Sequence, residues 1–170
     1  MTRDEILQAI EHAHTNLVAG LIDIPEGAMA TQPVVDWWTL KDLIGHIAMW
    51  YHVAVKFIDE YLRDGVPVPL GLKDDAALDA YNKRGAALRR DWSLARVRGE
   101  LDAAHRDLVA AVEKLTDAQL NAPLPAPWDN GANLARLIAV NSYEHALEHT
   151  EHVLKWRGDY SHIDGKETHP

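Results

Sequence analysis

The chain has 170 residues, 47% of them hydrophobic and 25% charged, which is enough for one globular domain with a substantial core. It has no cysteine, which excludes a disulfide framework, a thiolate metal site and a cysteine nucleophile, and leaves nitrogen and oxygen as the donors for any metal. The formal charge is −9 with no stripe of lysine and arginine, which argues against nucleic acid and anionic membrane as partners.

Thr2 with Glu5 makes a capping box, and Ile6, Ile10, Ala13, Leu17 and Leu21 recur at helical spacing, predicting a first helix to about residue 20. No signal-type apolar run precedes it, and no segment has about 18 consecutive apolar residues, so the expectation is a soluble, cytoplasmic protein without a membrane partner. A long connection with Pro25, Gly27 and Pro33 follows. Thr39 as N-cap, with Asp42 three residues on, opens helix two, which runs to Asp64 and stops at Gly65 before Pro67 and Pro69. Its apolar arc holds Leu43, Ile47, Trp50, Ala54 and Phe57; His46 falls inside the edge of that arc and His52 among the charges.

Residues 74–90 predict a shorter helix ending in Arg89 and Arg90. Ser93 caps helix three, where Leu94, Val97, Leu101, Ala104 and Leu108 repeat at three and four. Thr116 to Leu120 adds a turn before a loop with Pro123, Pro125 and Pro127; Asn130-Gly131 punctuates it, and helix four runs to about Trp156. Residues 157–170 are polar and weakly patterned and read as a loose tail. With no strand of consequence and no repeat, the expected fold class is all-α: a four-helix bundle over residues 1–156, with an extra short helix before helix three.

Helix four carries the chemistry. Leu134, Ile138, His145, His149, Val153 and Trp156 lie on one stripe, so two imidazoles stand where the pattern calls for Leu or Ile. Each polar group left unsatisfied there costs about 1–3 kcal/mol, and either a metal or hydrogen bonds to other side chains would satisfy them. If helices two and four are neighbours, His46 joins His145 and His149, and three neutral imidazoles with one open position match a catalytic divalent site. Zinc is the default ion, with nickel, iron or cobalt also suited to imidazole. Asn141 and Asp42, each one turn before a candidate ligand, could orient a ring, although Asp42 reads equally well as a cap alone. Trp37, Trp38, Trp50 and Trp128 are candidates for an aromatic substrate pocket, or for ordinary core packing, and Asn141 is placed with Trp50 in that pocket.

The segment Trp38-Thr39-x-x-Asp42-x-x-x-His46, followed much later by Tyr143-Glu144-His145-x-x-Glu148-His149, resembles the DinB/YfiT-like superfamily. Tyr81-Asn82-Lys83, Trp92-Ser93 and the helix up to Leu115 look most like its ClbS/DfsB branch, and the resemblance extends from the first helix to about Trp156. It implies a four-helix bundle with His46, His145 and His149 as metal ligands. His152 stands where many relatives carry Gln, so His149 with His152 is an alternative pair, and His105, on the apolar side of helix three, could compete or merely pack. Relatives include transferases and isomerases that use low-molecular-weight thiols, and a resistance protein that opens a strained cyclopropane. The implied activity is that of a metal-dependent hydrolase or thiol S-transferase, delivering water or a small thiol to an electrophilic small molecule for detoxification or self-resistance. Glu148, between the ligand positions, is the candidate general base. The opposing reading is a non-catalytic bundle that holds an apolar ligand, or that forms a homodimer through Val140, Tyr143, Leu147 and Leu154.

Overall fold

Thr2 and Thr39 each accept a hydrogen bond from the backbone N–H three residues on, and Glu5 and Asp42 return the bond, so both long helices begin where the capping boxes predict. In this computed structural model residues 1–128 and 131–164 are described, with side chains through residue 158. Asn130 of the expected Asn130-Gly131 break, and residues 165–170 of the expected tail, lie outside the described residues.

The elements in chain order are α1 (Arg3–Gly20), α2 (Glu26–Thr31), β1 (Pro33–Val35), β2 (Trp38–Thr39), α3 (Leu40–Asp64), α4 (Asp75–Arg89), α5 (Leu94–Glu113), α6 (Asp117–Asn121), α7 (Leu134–Asn141) and α8 (Tyr143–Asp164). The expected all-α bundle is present: α3 packs on α5 and α7, α1 packs on α8 and α5, and α4 is the extra helix, lying against α3. Ile10, Leu17, Ile47, Ile58, Leu108 and Ile138 are fully buried between these helices, each contributing about 1.5–3 kcal/mol relative to an exposed side chain. Among the described residues no helix is long and apolar enough to cross a membrane.

The structure departs from the sequence reading in four places. The connection after α1 holds the short helix α2 and an antiparallel hairpin pairing Pro33 with Thr39 and Val35 with Trp38. Asp36 makes its turn possible at φ 51°, a left-handed conformation that Asp tolerates better than most residues. Helix four is two helices, because the side chains of Asn141 and Ser142 donate to the carbonyls of Leu137 and Ile138 at 2.7 and 2.6 Å and the backbone breaks at Ser142. The second of these helices continues to Asp164, past Trp156. The apolar face assigned to a homodimer is largely covered from within the chain. Tyr143 is buried with its hydroxyl 3.4 Å from Met1 Sδ, Leu147 packs on the core, and only Leu154 is strongly exposed.

Two close approaches fix α4 on α3. A Cβ at Gly85 would overlap Met49 Sδ, and one at Gly45 would sit 2.7 Å from Arg89 Cδ, so glycine at each position lets the helices touch. Arg89 then forms a bidentate ion pair with Glu100 of α5, at 2.6 and 2.5 Å, in a largely buried setting. This anchoring brings the polar face of α4 over the end of the bundle where the histidines lie.

Candidate metal centre

His46 enters from α3, one residue after Gly45, while His145 and His149 enter from α8, one turn apart and just after the Ser142 break. Their Nε2 atoms converge: His145 Nε2 is 2.8 Å from His46 Nε2 and 3.2 Å from His149 Nε2. The three ligand atoms lie within 4.8 Å of one another, and this is the one such group found among the described residues. His46 is buried and the other two are partly buried.

A neutral imidazole nitrogen is either donor or acceptor, so His145 Nε2 can make a normal hydrogen bond with only one of its two neighbours. The remaining contact is then unsatisfied, whereas a cation between the rings accepts all three lone pairs at once. A tetrahedral ion with metal–nitrogen bonds of about 2.0–2.1 Å holds its ligand nitrogens about 3.3 Å apart, close to the spacing found here. Burial holds all three rings well below the usual imidazole range: His145 to about 4, His149 to about 3 with His145 and His152 adding to the effect, and His46 to about 2 with His145, His149 and Arg89 adding. They are therefore neutral near pH 7, the form that binds a metal. The donor set fits a divalent metal ion.

A cavity of about 190 Å³ opens beside the rings, lined by Asp36, Trp38, Asp79, Asn82, His46, His149 and His152 among others. The hairpin supplies Trp38, whose ring meets His46 edge-on at 4.9 Å. Trp50 is buried, 5.7 Å from the His145 ring and 6.2 Å from the His46 ring, and its Nε1–H donates to Asn82 Oδ1 at 3.2 Å. Thus Trp50 borders the triad, but neither it nor Asn141, the two residues expected in a substrate pocket, is among the residues lining this cavity. Asn141 is buried and its amide is tied to the Leu137 carbonyl, and the Asp42 carboxylate bonds Thr39. Asp42 is therefore a cap.

Other candidates lie elsewhere. Glu148 is exposed on α8 and does not line the cavity, whose carboxylates are Asp36 and Asp79. His152 does not replace a triad member: its Nδ1 is 3.3 Å from His149 Nδ1, behind the ring. His105 stacks on His14 at 3.9 Å across α1 and α5, outside the triad, and His52 is exposed. Trp128 packs on Phe57 and donates to the Pro67 carbonyl, and Trp37 is half exposed. Sequence reasoning missed Asp79 and Asn82, because α4 buries only Gly85 and its polar residues look like a solvated face.

Residues 9–153 match the DinB superfamily, and the chain belongs to that superfamily. No curated protein matches it. Solved structures similar to it include an uncharacterised protein from Escherichia coli UTI89, at 20% identity over 94% of this chain and 95% of that one, with a TM-score of 0.77. The Sibling Lethal Factor Precursor DfsB aligns at 20% identity over 94% and 97%, with a TM-score of 0.80. The colibactin self-resistance protein ClbS, in complex with double-stranded DNA, aligns at 17% identity over 92% and 95%, with a TM-score of 0.77. At these identities the likeness is one of fold. The ClbS complex overturns the exclusion of nucleic acid drawn from net charge. Net charge sums over the whole chain, whereas a duplex meets one local surface.

Proposed function

We propose that this member of the DinB superfamily holds one divalent ion on His46, His145 and His149 and uses it to deliver water or a low-molecular-weight thiol to an electrophilic small molecule. The observation that carries this reading is the convergence of three neutral Nε2 atoms from two helices, at 2.8 and 3.2 Å, beside a cavity. Such an ion, when bound, supplies Lewis acidity that brings the pKa of water or a thiol toward neutrality, which suits a chain with no thiol of its own. His152 fixes the ring of His149 by sharing the proton between the two Nδ1 atoms. Asp36 and Asp79, which line the cavity, take a proton from a nucleophile held there, a role that Glu148, outside the lining, does not reach. Trp38 and Trp50 wall the triad with apolar surface and limit water around it. The name of ClbS, a self-resistance protein, favours self-resistance or detoxification as the setting.

The test is a screen of the zinc-loaded protein against alkylating electrophiles, with water alone and with several cellular thiols. Turnover that falls by about 100-fold or more in His145→Ala supports the reading. Equal turnover in wild type and His145→Ala opposes it.

A further inference from the structure

A second and larger cavity, of about 740 Å³, lies between the Trp37 turn, the start of α3 and the exposed side of α4. In a chain of net charge −9 it is lined by four cations, Lys41, Lys83, Arg84 and Arg90, and one carboxylate, Asp42. That carboxylate is engaged: Asp42 Oδ2 accepts from the Thr39 N–H at 3.1 Å and the Thr39 hydroxyl at 2.7 Å. Lys41 Nζ donates to the Arg90 and Trp92 carbonyls at 2.8 and 3.2 Å, which fixes a positive charge where α4 ends against α3. Lys83 pairs with Asp79 at 2.6 Å, and Asp79 also lines the histidine cavity. Asn82 and Lys83 are consecutive, the first lining the histidine cavity and the second the basic one, so α4 is the shared wall.

Arg84 and Arg90 are exposed, and among the described residues neither has a carboxylate partner; Arg84 has only a 5.9 Å approach to the Tyr81 ring. Two guanidinium groups on one concave surface without carboxylate partners raise the local potential, and an anion in the groove relieves it. A guanidinium fork binds two oxygens of a phosphate at once, and two such forks, with Lys41 beside them, suit a group near charge −2 better than a single carboxylate.

We infer that the groove bounded by Trp37, Lys41 and α4 is a phosphate-binding subsite, read by Arg84 and Arg90, next to the histidine triad. The phosphate belongs to a small ester or to a nucleic-acid backbone. Phosphate binding requires no ion on the triad, so it stands apart from the proposed catalysis.

Calorimetric titration tests it with three probes: inorganic phosphate, adenosine monophosphate and a short DNA duplex. Each is titrated into wild type, into the double variant Arg84→Gln/Arg90→Gln, and into Arg63→Gln, an exposed arginine paired with Asp64 at the far end of α3. Saturable binding of at least one probe is expected, weakened about tenfold or more in the double variant, unchanged in Arg63→Gln, and weakened by salt. Binding of the small probes alone identifies an ester ligand, and binding of the duplex alone identifies a nucleic-acid backbone; both support the subsite. Absence of saturable binding by all three, or equal affinity in the folded double variant, overturns it. Metal content, measured on the same samples, is expected to be equal in all three proteins, so a failure of the triad is distinguishable from a failure of the groove.

Discussion

His152 lies outside the triad but touches it. When His149 binds through Nε2 its proton sits on Nδ1, and His152 Nδ1, 3.3 Å away, is the atom placed to accept it. His152→Ala should therefore keep one ion per chain but weaken its affinity about 10–100-fold, as read by competition with a chromophoric chelator. Unchanged affinity would reduce His152 to packing. His46 has no comparable support: its Nδ1 is buried without a hydrogen-bond partner among the described residues, and its ring is held by the edge of Trp38 instead. The triad was legible in the sequence because three histidines occupied apolar positions. The support around it was not, since Trp38 reaches His46 only through a hairpin turn at Asp36, and Asp79 comes from a helix with almost no buried face.

At the level of elements, α4 stays over the site because glycines let it approach α3. Gly45→Ala gains up to about 1 kcal/mol of helix propensity, but its Cβ must displace Arg89, which is locked to Glu100, so a net loss of about 1–2 kcal/mol is expected from urea denaturation. Gly99→Ala on α5 is the control: nothing lies within 4 Å of its new Cβ, and a gain of about 0.5–1 kcal/mol is expected. Equal and opposite signs to these would mean that α4 is not seated as described. The long helices were readable because their caps are local: Thr39 with Asp42 starts α3, and Gly65 at φ 78° stops it. What escaped is short or tertiary. The six residues of α2 lack a side-chain cap, and the hairpin strands of three and two residues are too short for periodicity. The apolar pattern runs straight through Ser142, where only the consecutive Asn141 and Ser142 hint at a break.

For the whole molecule, burying three neutral imidazoles makes stability depend on pH. Their folded values, about 2, 4 and 3 for His46, His145 and His149, lie below the ordinary 6.5, so below that pH the unfolded chain binds protons that the folded chain does not. Stability is thus greatest above pH 6.5 and falls as pH drops, each ring contributing up to about 1.4 kcal/mol per pH unit. Metal-free protein should show a urea midpoint that falls steeply between about pH 6.5 and 5, and should unfold before His46 titrates in place. A midpoint that stays flat over that interval would mean that the rings are not buried together. Whole-chain charge is likewise a poor guide to nucleic-acid binding, because a sum of −9 conceals a groove lined with four cations.

Whether the three histidines hold an ion is decided by elemental analysis of protein purified without chelators or affinity metals. About one equivalent of a divalent metal per chain is expected in wild type and in His52→Ala, and almost none in the His145→Ala/His149→Ala double variant. Wild type that takes up no divalent metal even when supplied with it, or stoichiometric metal that survives the double replacement, would contradict the account.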